Sequence, residues 1–328
     1  MENIKFFEAI NTSIGLLRYI ETLWKLIQVR IKYNPDIYIL GFRGHEIFWL
    51  VRAITSGKVL VFDHMMSPYD SLINERKTIK SGGALAKFVF IYEKNILHNA
   101  DIILTDTEIH KDFFSELFHI KTEKILAIPV GTDESLFYQK HDVQTSSQAI
   151  SFEVLFYGTF LPLHGIDVIV KAAAKVSHLP IHFTLIGGGH GNQYAQLIRE
   201  QSFGNMTHIE WVDFEKIPEL VASADIGLGG PFGDTGQARR VITGKTMQLL
   251  AMAKPVIIGE IPPVYGFVDK FNCLTVPQGD DDALARSIIW AFEHQDLLKQ
   301  IGVNGSVLYK EKFSVEQIAK KLEGIFES

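Results

Sequence analysis

Apolar residues recur at spacings of three and four over the first thirty positions of the chain. Ile4, Phe7, Ile10, Ile14, Leu17, Ile20, Leu23, Ile27 and Ile31 keep that spacing and predict a helix over residues 2–32. Lys5, Arg18, Lys25, Arg30 and Lys32 lie between them. Two readings fit this pattern. One is a helix packed on a sheet. The other is a helix lying on a membrane surface, close to lipid-linked molecules.

Short apolar runs then alternate with helical stretches. Residues 36–40, 58–62, 101–105 and 124–129 read as strands, and 46–54, 84–99 and 108–118 as helices. Residues 139–151, QKHDVQTSSQAIS, are polar without an apolar period and read as a linker. The alternation restarts beyond it. Strands are expected at 153–157, 182–186, 207–211, 225–228, 255–258 and 273–276. Helices are expected at 166–177, 192–201, 217–223, 245–253, 282–294 and 314–326. Strands alternating with helices argue for two α/β domains, each with a parallel sheet, over 1–140 and 151–328. The last helix is expected to pack back on the first domain.

Composition narrows the class. The 328 residues suggest two domains, and 47% hydrophobic with 21% charged residues is a globular balance that disfavours a disordered or fibrous chain. Net charge is −6 with no long basic run, so a nucleic-acid partner is not expected. Cys273 is the one cysteine, which rules out an intrachain disulfide. The N-terminal stretch has scattered charges and no small-residue cleavage site, unlike a signal peptide. No uncharged apolar run approaches the ~18 residues of a membrane span. The expected location is the cytoplasm, with peripheral contact at the membrane inner face under the second reading of the first helix.

Ligands of open parallel sheets bind beyond the carboxyl ends of the strands. Three such ends hold candidate chemistry. Gly158-Thr159 and the segment to Gly165 follow the strand at 153–157, with His164 just before Gly165. Gly187-Gly188-Gly189-His190-Gly191 follows the strand at 182–186. Each glycine run precedes a helix, a pairing suited to phosphate and equally to a plain turn. The loop from Gly229 through Gly236 brings Arg239, Arg240 and Lys245 to a helix start. A cation there opposes the helix dipole, and an anionic ligand, a diphosphate above all, would offset it. The alternative is a solvated surface lysine.

Two patterns resolve against metal binding. Asp280-Asp281-Asp282 directly precedes a helical stretch, where Asp caps and complements the helix N-terminus. His178 and His182 are separated by Pro180, which breaks any helix that would align them. No metal and no cofactor is expected.

The segments YGTFLPLHGIDVIVKAA, HFTLIGGG, ADIGLG, GKTMQLLAMAKPVIIGEIPPV and IPVGTDESLF, in that fold order, resemble the family 4 glycosyltransferases. The resemblance implies a GT-B fold, two Rossmann-like domains facing across a cleft. It implies a metal-independent enzyme that moves a sugar from a UDP-, GDP- or ADP-sugar to a glycan or lipid-linked acceptor with retention. Gly158, Thr159, His164, Gly187, Gly188, Gly236, Arg240, Lys245 and Gln248 would bind the donor, Lys245 the diphosphate and Gln248 the ribose. Asp63 and His64, after the strand at 58–62, would act near the anomeric carbon. The family usually has two glutamates where this chain has Arg240 and Gln248, and a basic residue other than histidine where it has His164. A family domain also opens with a strand and a glycine-rich loop, whereas this chain opens with a helix and offers four strands before the linker against six after it. Either the chain is truncated or this member's N-terminal domain is reduced, and its short sheet would leave an edge strand open to another subunit, whether a second copy or a partner. The alternatives are a non-catalytic glycosyltransferase-like partner subunit and a sugar-nucleotide epimerase.

Overall fold

A computed structural model describes residues 4–139, 151–189, 193–201 and 204–326. Residues 140–150 of the expected linker, and His190 and Gly191, lie outside these ranges. The chain divides into two compact units, one of residues up to Pro129 with those from Lys320 onward, the other Val130–Ala319.

The first unit contains α1 (Leu17–Tyr33), β1 (Ile37–Leu40), α2 (Phe48–Ile54), β2 (Val59–Asp63), α3 (Ala84–Asn99), β3 (Ile102–Thr105), α4 (Glu108–Phe118) and β4 (Ile125–Ala127). Its sheet has the order β1-β2-β3-β4, and every pairing is parallel. Phe48, Leu60, Phe62, Ile96, Leu97, Ile103, Phe114 and Phe118 fill the core between sheet and helices. β1 stands at one edge of the sheet.

α1 is shorter than the apolar spacing predicts, because residues 4–14 form no regular element. Gly15 takes φ +62°, a left-handed turn that ends any helix reaching it from the N-terminal side. The Glu21 carboxylate accepts the backbone N–H groups of Thr12 (3.1 Å) and Ser13 (2.8 Å), folding the preceding segment back on the helix. At its far end Asn34 adopts φ 47° and its N–H bonds the Arg30 and Val29 carbonyls.

The second unit contains β5 (Phe152–Tyr157), α5 (Ile166–Lys175), β6 (Ile181–Ile186), α6 (Gln193–Gln201), β7 (Met206–Ile209), α7 (Ile217–Ser223) and β8 (Ile226–Leu228). It continues with α8 (Gly244–Ala251), β9 (Val256–Gly259), β10 (Leu274–Val276), α9 (Asp281–Glu293), α10 (Gln295–Lys312) and the start of α11 (Val315–Phe326), whose residues from Lys320 onward belong to the first unit. The sheet order is β10-β9-β8-β5-β6-β7, all parallel. The chain runs outward from β5 through β6 to β7, then returns to place β8 on the other side of β5. That reversal is a topological switch point, where open α/β sheets leave a crevice at the strand ends.

α10 has no counterpart among the predicted helices. Gly302 and Gly305 lower its helical propensity, yet packing requires both. A Cβ on Gly302 would lie 2.1 Å from the Ala253 carbonyl oxygen, and one on Gly305 2.8 Å from that of Asn272. α10 thus sits directly on backbone at the end of α8.

The Asp280 carboxylate accepts the Ala283 N–H at 2.7 Å, the N-cap bond of α9. Asp281 and Asp282 both pair with Lys175. Asp280→Ala should cost about 1 kcal/mol in denaturant unfolding. Its activity should keep the wild-type response to divalent cations; a selective loss of cation response would reject the capping role.

Candidate functional site

The site grows from two strand ends and one helix start in the second unit. Pairing of β5 and β6 continues past Tyr157 and Ile186: Gly158 N–H donates to the Ile186 carbonyl (2.9 Å) and Phe160 N–H to that of Gly188 (2.9 Å). Gly187 holds φ +135°, and a Cβ on it would fall 1.9 Å from the Gly158 carbonyl oxygen. Only glycine lets these two backbones pass.

The third contribution is the start of α8. Thr243 is its N-cap: its hydroxyl accepts the Thr246 N–H at 3.3 Å and donates to the Gly229 carbonyl at 2.7 Å. These bonds fix the first turn, and Lys245 in that turn is buried. The Lys245 Nζ lies 3.2 Å from His164 Nε2 and 4.9 Å from the Phe156 ring centre. A Cβ on Gly158 would stand 3.3 Å from the same atom. No carboxylate pairs with Lys245 among the described residues, and burial pushes its pKa down to about 7. Burial, then the nearby Lys245, pushes His164 down to about 3, so its ring is neutral. The His164 Nδ1–H donates to the Thr159 carbonyl. That tautomer leaves Nε2 as an acceptor for the ammonium.

These groups line a cavity of about 1010 Å³. Gly158, Thr159, His164, Gly187, Gly188, Lys245 and Gln248 all face it. Gly236 and Arg240, in the turns between Asp234 and Arg240, are not in its lining. Arg239 pairs with Asp234. Lys245 is therefore the one of the three loop cations in the lining. The lining also includes Thr243, Glu210, Trp211 and Phe214. Thr243 was legible as a cap before an apolar stretch; Glu210 carries no signal in its sequence context.

Asp63 and His64 belong to the first unit. The His64 side chain is fully buried. Its Nδ1 lies 3.1 Å from His45 Nε2, and its Nε2 lies 3.2 Å from a Glu93 carboxylate oxygen. The other Glu93 oxygen accepts the Tyr69 N–H at 2.8 Å. His45, His64 and Glu93 bring metal-ligating atoms within 4.8 Å of one another. His64 uses a different nitrogen toward each neighbour, so these contacts form a chain. Asp63 is half-buried, and burial raises its pKa against the opposing Phe42 and Met65 N–H bonds.

Comparison with known proteins fits this geometry. Residues 151–294 match the family described as "Glycosyl transferases group 1". An uncharacterized glycosyltransferase of Methanocaldococcus jannaschii is 24% identical over 259 residues, 74% of this chain and 63% of that protein. A putative colanic acid biosynthesis glycosyl transferase of Escherichia coli, WcaI, is 20% identical over 187 residues, 54% of this chain and 45% of that protein. The match thus covers less than two thirds of either relative's length. Sucrose-phosphate synthase of Thermosynechococcus elongatus superposes with a TM-score of 0.75 at 19% identity, covering 96% of this chain and 80% of that one. Anabaena Alr3699/HepE superposes at 0.74 and 15% identity, covering 97% and 84%. With two parallel α/β sheets, the chain has the fold of these GT-B structures, and its second unit, over residues 151–294, is similar to the group 1 glycosyl transferases.

Proposed function

We propose that the protein transfers a sugar from a nucleotide-sugar donor to a glycan or lipid-linked acceptor, with retention and without a metal. The observation that carries this reading is Lys245, a buried ammonium facing a cavity with no carboxylate partner among the described residues. An anion in that cavity would complete it. The donor diphosphate fits, with the Lys245 ammonium and the first-turn N–H groups of α8 converging on it. As the bond from the anomeric carbon to the diphosphate breaks and the acceptor oxygen bonds that carbon, these groups would stabilise the departing charge. The acceptor hydroxyl's proton passes to the departing diphosphate oxygen, which balances the step. HepE was solved with UDP and glucose, which favours UDP among the candidate donors. Gln248 would bond the ribose, and Trp211 and Phe214 would border the base.

Asp63 and His64 join this reading through family resemblance. Asp63, only half-buried at the end of β2, would orient an acceptor hydroxyl. The enclosed His64 would act by positioning. Gln248, a neutral amide where the family has a carboxylate, favours a second reading: donor binding in a non-catalytic partner subunit. Turnover with a panel of nucleotide sugars separates the two, since the enzyme reading requires nucleotide diphosphate release dependent on acceptor.

The lysine also sets a pH dependence. A diphosphate beside Lys245 favours its charged form and raises its pKa on binding. Above pH 7 binding therefore takes up a proton. UDP affinity should fall by up to about tenfold per pH unit as pH rises from 7 toward the bound-state pKa. This lysine contributes no slope well below pH 7. Calorimetry in buffers of different ionisation enthalpy would measure the uptake; no uptake at pH 8 would reject the diphosphate role of Lys245.

A further inference from the structure

α1 leaves an apolar stripe uncovered. Leu17, Ile20, Trp24, Ile27 and Ile31 follow one another at steps of three and four, and all are exposed, Trp24 by 61% and Ile31 by 80%. Ile14 and Leu16 extend the exposed apolar surface at the helix start. The opposite side holds Leu26, the buried anchor of the helix to its unit. At 100° per residue, Lys32, Lys25 and Arg18 line one border of the stripe, and Arg30 lies beyond the other. The helix has one acid, Glu21, bonded to Lys25 at 2.7 Å and to the Thr12 and Ser13 N–H groups.

α1 therefore holds four cations and one acid in a chain of net charge −6. The charge segregates onto the helix that exposes the apolar stripe. We propose that the outward face of α1 is a docking surface for an anionic lipid bilayer. A helix of this kind lies in the interfacial plane, its apolar side chains among the upper acyl chains and its cations at the headgroups. Trp24, in mid-stripe, has the amphipathic ring that settles at that depth. α2 packs against α1 and exposes Trp49 and Leu50. Pairing of two copies through this face would set cationic borders close together, whereas an anionic bilayer attracts them. No helix among the described residues is long and apolar enough to cross a membrane, so α1 would rest on the surface. The proposal is independent of the donor site.

Co-sedimentation of the full chain with vesicles tests it. The protein should sediment with phosphatidylcholine vesicles containing phosphatidylglycerol and much less with phosphatidylcholine alone. The preference should fade at high salt. Ile20→Glu with Trp24→Glu should lower partitioning at least tenfold. Arg18→Ala with Lys32→Ala should lower it by roughly fivefold per cation on anionic vesicles alone. All four residues are solvent-facing, and unchanged unfolding midpoints would show that the variants remain folded. No vesicle binding, or equal binding by wild type and both variants, would overturn the proposal. So would a concentration-dependent dimer in sedimentation velocity that both variants abolish.

Discussion

Lys245→Met is expected to abolish diphosphate binding and to make the unliganded protein more stable. The two effects share one cause. Burial takes the Lys245 ammonium from a pKa of 10.5 to about 7. Each pKa unit corresponds to about 1.4 kcal/mol, so holding this group charged in the fold costs on the order of 5 kcal/mol. Methionine has similar length and no charge to desolvate. The sign follows from linkage. Between pH 7 and 10.5 the unfolded state holds the lysine proton more tightly than the folded state, so this residue's penalty is full below pH 7 and fades as pH rises to 10.5. Lys245→Met should therefore raise the unfolding midpoint by roughly 5 °C at pH 7, with less gain at pH 9.5. UDP should raise the wild-type midpoint and leave the variant unmoved. A destabilised variant, or one still shifted by UDP, would show that the lysine has another partner.

Gly187→Ala is expected to cost both fold and site. Its Cβ would lie 1.9 Å from the Gly158 carbonyl oxygen, and its φ of +135° is strained for any L side chain. Overpacking against backbone and a disfavoured φ each cost about 1–3 kcal/mol, and here they coincide. Separating the two loops would also move Gly158 away from Lys245. Gly188→Ala is the matched control, since its Cβ would meet nothing nearer than the Glu210 carbonyl at 3.9 Å. Chemical denaturation and UDP titration should show a loss of several kcal/mol and of binding for Gly187→Ala, with near-wild-type values for Gly188→Ala. Equal behaviour of the pair would mean that the loops do not need their close approach.

The ten strands among the described residues stand where the apolar runs predict them, because parallel strands covered on both faces read as short continuous apolar segments. Helices were less legible where backbone packing overrides propensity. α10 tolerates Gly302 and Gly305 because its neighbour leaves no room for side chains there, a constraint set by Ala253 and Asn272. The first helix was overextended because apolar spacing continues through Gly15, whereas its left-handed φ stops the helix. The place of Lys245 in the cavity lining had a local signal: a cation in a helix's first turn conflicts with the dipole. Arg240 and Gly236 lie in the loop before that helix, where spacing gives no side-chain direction, and the cavity lining excludes them. The His45, His64 and Glu93 chain joins a short turn, the residue after β2 and α3, so no local pattern could reveal it.

The glycines of α10 have a consequence for the speed and entropy of donor capture. With Gly302 set against the Ala253 carbonyl, α10 packs on α8 without a cushion of flexible side chains at that point. Most cationic anion receptors on protein surfaces are long arms that lose rotamer freedom when they close on a ligand. Here the Lys245 ammonium is buried between His164 Nε2 at 3.2 Å and the Phe156 ring, so its side chain is ordered when the chain folds. Under the proposed function an arriving donor would meet a receptor already in its final geometry, and recognition should be limited by the donor's own approach and desolvation. The amides at the C-terminal end of α8 should accordingly exchange with solvent at nearly the same slow rate whether the cavity is filled or empty.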